Sequence, residues 1–227
     1  MDEARAAGEI IAAGRRLRAG GLISAGEGNL SIRLHGDRLL ITPSGRRKDE
    51  LEPGDLVTVP LGRGDHEAAS ASGLGPSSDL AVHVAVHAAR PDIGAVAHAH
   101  LPASMALTVA GEIPDPAALP ETALLLPRLP FVAYGEMGSL ELAARIAAKL
   151  AEGPEPLPGA ALLERHGAVA VGQDLAMAVD RLELVEVLCR TWRDALLLRG
   201  ARAAADRPGS IGPAQMVARE TPESQEG

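Results

Sequence analysis

Asp92-Ile93-Gly94-Ala95-Val96-Ala97-His98-Ala99-His100 is an apolar run that ends in two histidines one residue apart. Read as a strand, it turns His98 and His100 toward the same face, because side chains alternate along a strand, and two imidazoles then lie close enough to chelate one ion. Imidazole is the commonest metal-binding side chain, and the chain has only seven histidines. A third stands in Glu164-Arg165-His166-Gly167, at a turn between two short apolar segments, 161–163 and 168–171. If that strand end reaches the same cleft, three imidazoles share one point, and three protein ligands with an open position mark catalytic rather than structural zinc.

Outward from this run, the pattern predicts helices alternating with hairpins. In 4–19, Ile10, Ala13 and Leu17 recur at helical spacing and Gly20-Gly21 supplies the stop. Segments 30–34 and 39–42 are β-prone and flank the turn-like His35-Gly36-Asp37-Arg38; 56–60 reads as a further strand. Segment 62–75, rich in Gly, Ser and Ala without a period, is expected to be an exposed loop. Ser77 or Ser78 can cap a helix to Ala89, with Asp79 one residue inside it. A short helix from Pro102 follows the histidine strand, then a Pro-rich connector, 113–130, with one helical turn near 121–126. Ser139 opens a helix ended by Gly153-Pro154, and Asp174 caps a last long helix to about Ala203. Strands that arrive in hairpins between helices favour an α/β fold with many antiparallel pairs over a doubly wound parallel sheet. Residues 1–205 are expected to form one domain, with 206–227 a flexible tail.

Composition excludes several functions. At 227 residues the chain can bury one large core, and at 46% hydrophobic content with one Phe, one Tyr and one Trp, Ala, Leu, Val and Ile must fill it. No aromatic cluster exists for stacking bases, and a net charge of -8 opposes polyanion binding, so no nucleic-acid partner is expected. The single cysteine, Cys189, cannot form a disulfide within the chain and lies in an apolar stretch, as core filler does. No apolar run reaches the ~20 residues of a membrane span, and the N-terminus lacks a signal-peptide pattern. The expectation is a cytoplasmic protein with no membrane partner.

Three small-residue loops, Gly26-Glu27-Gly28-Asn29, Pro43-Ser44-Gly45 and Pro76-Ser77-Ser78, could hold an anion if the fold gathers them, the last through a helix N-terminus. Asp79 reads either as an ordinary first-turn acid or as a metal ligand or general base. Asp79, His83 and His87 recur every four residues and could form a separate metal site, but the same stripe carries Leu80 and Val84 and so is expected to face the core.

Gly28-Asn29-Leu30-Ser31, Ile41-Thr42-Pro43-Ser44-Gly45, Pro76-Ser77-Ser78-Asp79 followed by His83, Arg90-Pro91-Asp92, His98-Ala99-His100 and Arg165-His166-Gly167 stand in a fixed order. In that order the chain resembles the class II aldolase/adducin family, most closely its L-fuculose-phosphate aldolase branch, over nearly its whole length. The resemblance implies a three-layer α/β/α sandwich with a central, mainly antiparallel sheet, and a homotetramer with active sites at subunit interfaces. It implies His98, His100 and His166 as ligands of Zn2+, with Mn2+, Co2+ or Fe2+ as other occupants. It implies Gly28, Asn29, Ser44, Gly45, Ser77 and Ser78 as the holders of a substrate phosphate and Asp79 as the catalytic acid–base. The implied activity is that of a lyase, cleaving a small phosphorylated ketose such as L-fuculose 1-phosphate through an enediolate. An L-ribulose-5-phosphate 4-epimerase-like epimerase, a related decarboxylase or dehydratase, and a non-catalytic adducin-like module are the alternatives.

The chain departs from the aldolase pattern at two places. Asp79 stands where these aldolases usually have Glu and the epimerases have Asp, and ~1 Å of displacement of a catalytic group can cost on the order of a hundredfold in rate. The aldolases also use a Tyr in the region matching 114–121, whereas the only tyrosine here is Tyr134; Glu121 stands in that region as a candidate acid.

Overall fold

The structure, a computed structural model, describes residues 1–61 and 70–205. The chain divides into two compact units, Met1–Arg190 and one that begins at Thr191. The first holds a seven-stranded sheet built from β1 (Asn29–Leu34), β2 (Arg38–Ile41), β3 (Val57–Pro60), β4 (Ala95–Ala99), β5 (Phe131–Val132), β6 (Ala160–Leu163) and β7 (Gly167–Gly172), in the order β3-β2-β1-β4-β7-β6-β5. All neighbours are antiparallel except β5 and β6. The helices are α1 (Glu3–Ala19), α2 (Leu80–Ala89), α3 (Pro102–Val109), α4 (Pro120–Leu125), α5 (Leu140–Ala151) and α6 (Leu175–Ala205).

Register assigns the two faces. Ser31 lies opposite Val96, and Val96 opposite Val171, so these three share a face. Over it pack α2 and α5, and Val82, Val86, Ile146 and Leu150 join Val96, Leu163, Val169 and Val171 in one buried cluster. The other face carries Leu30, Ile32, Ala97 and Ala170, all buried, and α1 packs against β1. The result is the three-layer α/β/α sandwich with a central, mainly antiparallel sheet that the resemblance implied.

Local chemistry accounts for most element ends. Ser139 Oγ accepts the Leu142 N–H at 3.2 Å, and Asp174 Oδ1 accepts that of Met177 at 2.8 Å, so both expected caps form. The helix after Pro76 starts later than expected. It begins at Leu80, with Asp79 at the N-cap position making no capping bond, because its carboxylate accepts from Asn29 Nδ2 at 2.8 Å instead. The two-residue β5 lay unseen next to the connector, since two residues carry no periodicity. Of the expected loop 62–75, residues 62–69 lie outside the described residues, as does the expected tail from 206.

One close approach sets the relation between the two histidine-bearing segments. The β6–β7 turn bends through Arg165 (φ 58°) and Gly167 (φ 92°). A Cβ on Gly167 would stand 2.1 Å from the Ala99 carbonyl oxygen and 2.8 Å from His100 Cα. Only a residue without a side chain lets that turn press against the end of β4. Gly167→Ala should therefore destabilise the protein by about 2 kcal/mol or more in urea unfolding. Gly36→Ala, at φ 75° in open space, should cost only the left-handed backbone term, roughly 1 kcal/mol; equal losses at the two positions would refute the close-approach explanation.

Candidate active site

His98 occupies the last turn of the pleat in β4, directly opposite Asn29 of β1. His100 follows one residue beyond the strand, and His166 is carried in by the β6–β7 turn. The three rings form a triangle with centroids 5.0, 4.8 and 4.8 Å apart, each pair edge to face. One nitrogen from each lies within 4.8 Å of the others, so the three could hold a metal ion. His98 Nδ1 donates to the Ala168 carbonyl at 3.0 Å. That bond fixes the tautomer and leaves Nε2 with an open lone pair, the arrangement typical of a metal-ligating histidine. His98 Nε2 and both nitrogens of His166 are buried without a hydrogen-bond partner among the described residues. Such atoms are expensive unless something occupies the space between them, so the donor set fits a cation that prefers imidazole.

Asp79 Oδ2 lies 3.9 Å from His98 Nε2, which places a carboxylate at the mouth of the cluster. Gly28, Asn29, Ser44, Gly45, Ser77 and Ser78 line one cavity of about 370 Å³ together with Asp79, His100 and His166. The three small-residue loops, far apart in sequence, thus meet beside the histidines. Pro43 and Pro76 form a bridge, the Ser44 N–H donates to the Gly75 carbonyl and the Ser77 N–H to the Thr42 carbonyl, so two of the loops are stitched to one another. Ser77 Oγ accepts the Asp79 N–H at 3.2 Å. Gly28 packs against the end of β4, where a Cβ would stand 2.9 Å from the His98 carbonyl oxygen.

Several residues that hold the site were not identifiable as such from sequence. Glu27 accepts from the Ser24 and Ala25 N–H groups and the Ser24 hydroxyl, tying its loop. Buried Lys48 donates to the Gly26 and Arg46 carbonyls at 2.7 and 2.6 Å, locking that loop to the Ser44-Gly45 loop. Glu186 of α6, 2% exposed, accepts the Ala103 and Ser104 N–H groups at the start of α3 and so caps the helix that follows His100. The Arg165 N–H donates to Thr108 Oγ1 at 3.0 Å, tying the His166 turn to the other end of α3. Arg90, in the Arg90-Pro91-Asp92 motif, grips Asp92 with two bonds and the Leu150 and Pro158 carbonyls with another nitrogen; it is a structural clamp. Glu121 is exposed in the first turn of α4, and Tyr134 stacks under Arg165 at 4.5 Å. Buried Cys189, its thiol pushed up to about 12 chiefly by burial, is core.

The stripe of Asp79, His83 and His87 is no separate metal centre. Ser31 Oγ meets His83 Nδ1 at 2.7 Å and His87 Nε2 at 3.1 Å, and His83 Nε2 meets Asn29 Oδ1 at 2.6 Å. The alternation Asn29, Ser31, Arg33 in β1 set against two histidines four apart in α2 is the signal that could have revealed this pairing.

Electrostatics favours neutral imidazoles. Burial first, then the neighbouring rings of His166 and His100, lower His98 to about 3; burial lowers His100 and His166 as well. Burial opposes charge on Asp79, but the His98 ring and the Asn29 amide outweigh it and hold the carboxyl below its ordinary range. At neutral pH the site offers three unprotonated rings and a carboxylate. Burial also lowers His83 to about 4. In the metal-free protein the unfolded chain thus takes up protons near 6.5 that the folded chain refuses until about 4 or lower. Stability should be level from about pH 7 to 8 and fall as pH drops from about 6.5 toward 4, read as the urea midpoint across that range; a midpoint that rises on acidification would contradict the assignment.

The Class II Aldolase and Adducin N-terminal domain family matches residues 8–193. The chain is 36% identical over 186 residues to a 5-methylthioribulose-1-phosphate/5-deoxyribulose-1-phosphate aldolase of Rhodospirillum rubrum, covering 81% of this chain and 79% of that protein. It is 33% identical over 192 residues to a methylthioribulose-1-phosphate dehydratase of Acidiphilium cryptum, covering 79% and 86%. Among solved structures, L-fuculose-1-phosphate aldolase from Thermus thermophilus superposes with a TM-score of 0.74 at 32% identity, covering 87% of this chain and 97% of that one. Fold, histidine triangle and family match agree: the chain belongs to the class II aldolase and adducin family, with structural likeness to its L-fuculose-phosphate aldolase branch.

Proposed function

We propose that the protein is a metal-dependent lyase that cleaves a ketose 1-phosphate by retro-aldol chemistry, giving dihydroxyacetone phosphate and an aldehyde. The observation that supports this most is the convergence on one cavity of about 370 Å³ of two of the three clustered histidines, Asp79 and the three small-residue loops. A divalent cation held by His98, His100 and His166, zinc in this reading with manganese, cobalt or ferrous iron as other occupants, would supply Lewis-acid polarisation of the substrate carbonyl and its neighbouring hydroxyl. Gly28, Asn29, Ser44, Gly45, Ser77 and Ser78 hold the phosphate. With the phosphate fixed, the reacting carbons are oriented toward Asp79 before any bond changes.

Asp79 moves the proton. In cleavage its carboxylate takes the hydroxyl proton of the carbon that becomes the aldehyde as the carbon–carbon bond breaks, and after the aldehyde has left it delivers that proton to the carbon beside the carbonyl of the three-carbon phosphate; condensation runs the same transfers in reverse. The names of both the Rhodospirillum rubrum aldolase and the Thermus thermophilus structure carry a ketose 1-phosphate, a different one in each. L-fuculose 1-phosphate, 5-deoxyribulose 1-phosphate and 5-methylthioribulose 1-phosphate are the substrates to compare. Dehydration is the second reading, favoured by the likeness to the Acidiphilium cryptum dehydratase. We place the enzyme in the cytoplasm as a homotetramer with sites at subunit contacts. Large exposed apolar side chains support the assembly, among them Met137, which lines the cavity, and Leu124 and Leu140.

The zinc-loaded protein, given the three ketose 1-phosphates, should release dihydroxyacetone phosphate from at least one; a dehydrated product of unchanged carbon number would establish the second reading, and no conversion of any would overturn both. Elemental analysis should find about one ion per chain, and His98→Ala should lose it, since a three-ligand site leaves no spare donor. Asp79→Asn should retain the metal while lowering kcat by roughly 10²–10⁴-fold, the usual weight of a positioned acid–base; undiminished kcat in that variant would remove Asp79 from the chemistry.

A further inference from the structure

Beneath the candidate site a file of buried hydrogen bonds ends on Asp79, and the proposed reaction gives a part to Asp79 and to the phosphate-holding Asn29 but none to His83, His87 or Ser31. It runs from His87 Nε2 to Ser31 Oγ (3.1 Å), from Ser31 Oγ to His83 Nδ1 (2.7 Å), from His83 Nε2 to Asn29 Oδ1 (2.6 Å) and from Asn29 Nδ2 to Asp79 Oδ2 (2.8 Å). His83 and His87 are fully buried, as is Ser31, and Asn29 and Asp79 are nearly so.

The charge at one end dictates every hydrogen in the file. A carboxylate only accepts, so the Asn29 amide must present N–H to Asp79, which turns its oxygen to His83. That oxygen only accepts, so His83 Nε2 must carry the proton. His83 is neutral in this surrounding, burial having lowered it to about 4, so its Nδ1 is an acceptor and takes the Ser31 hydroxyl hydrogen. Ser31 oxygen then accepts from His87 Nε2–H. His87 Nδ1, buried without a partner among the described residues, is the unprotonated end. Arg33, which donates to the His87 carbonyl, and the neighbouring His83 add to burial in keeping His87 neutral.

We propose that His83 is a positioning residue for Asp79: as the Nε2–H tautomer, set by Ser31 and His87, it pins the Asn29 amide with its N–H toward the carboxylate. The amide then holds Asp79 Oδ2 at a fixed point beside His98 Nε2, 3.9 Å away. With the amide reversed, oxygen would face carboxylate and the group would swing from that place. Asn29 therefore serves the phosphate loop through its backbone while its side chain serves Asp79. The catalytic consequence rests on the role proposed for Asp79; the hydrogen arrangement does not.

The two parts are separable by experiment. Nitrogen-15 NMR of the full-length, metal-free protein with labelled histidine should show His83 neutral at pH 7 with its proton on Nε2. In Asp79→Asn, whose amide can donate as well as accept, the Asn29 orientation is no longer imposed, and both His83 ring-nitrogen signals should shift toward a mixture of tautomers. A histidine that merely fills the core would keep its tautomer in that variant. In the zinc-loaded protein with a converted ketose 1-phosphate, His83→Leu should lower kcat by about 10- to 100-fold with metal content retained, and KM within about twofold. His83→Gln, whose amide can still donate to Asn29 Oδ1, should recover most of the loss. A proton on Nδ1, His83 signals unmoved by Asp79→Asn, or wild-type kcat in His83→Leu would each overturn the inference. If His83→Leu does not fold, the NMR comparison and His83→Gln decide. If no substrate turns over, the reaction assignment fails and the NMR result alone decides the file of bonds.

Discussion

The backbone contact between Gly167 and the end of β4 is the constraint on which the site depends. The strand carrying His98 and the turn carrying His166 come from opposite halves of the chain, and their rings meet only because no side chain stands between the turn and Ala99. The sheet supplies the rest of the alignment. Antiparallel pairing of β4 with both β1 and β7 brings Asn29 opposite His98 on one side and Val169 opposite it on the other, with the Ala168 carbonyl in reach of one ring nitrogen and the other left facing the cleft. For His98 a rigid strand, rather than a loop, carries this geometry, which is where precision of a few tenths of an ångström is attainable.

Around that centre the fold places polar groups where a purely packed core would have apolar ones. Asn29 and Ser31 alternate with Leu30 and Ile32 in β1, a pattern that ordinarily marks a solvent face. Here the polar side lies under α2, whose His83 and His87 supply matching partners, so no hydroxyl or amide of the pair is left unmatched. The same network explains why α2 begins without a side-chain cap: the residue in the capping position, Asp79, is drawn toward Asn29 and the histidines. The helix start gives up a cap, typically worth ~1 kcal/mol, at the point where the carboxylate faces the histidine triangle.

Sequence made the architecture and the His98–His100 pair legible because both rest on short-range regularities, whereas His166 joined that pair through the resemblance. Alternation gave the shared face of His98 and His100, Gly20-Gly21 the end of α1, and Ser139 and Asp174 the starts of α5 and α6. The gathering of the three small-residue loops was legible only through the resemblance, since nothing local says that Pro43 pairs with Pro76. Lys48, Glu186 and Thr108 were illegible for the same reason. Each acts through one or two bonds to backbone far along the chain, and a lone lysine, glutamate or threonine carries no pattern that announces such a bond. His83 was visible as a histidine on a core-facing stripe, but its partners became visible only with the register of β1 against α2.

Anchoring of α3 has a consequence for how such an enzyme can diverge. Its first turn is held by Glu186 and its last by the bond between Thr108 and the His166 turn, so both attachments bypass the proline-rich segment that follows, which runs from Gly111 to Pro130 and includes the exposed Glu121. That segment hangs from a frame already closed without it. Insertions, deletions and exchanges there leave both attachments of α3, and with them His100 and His166, in place.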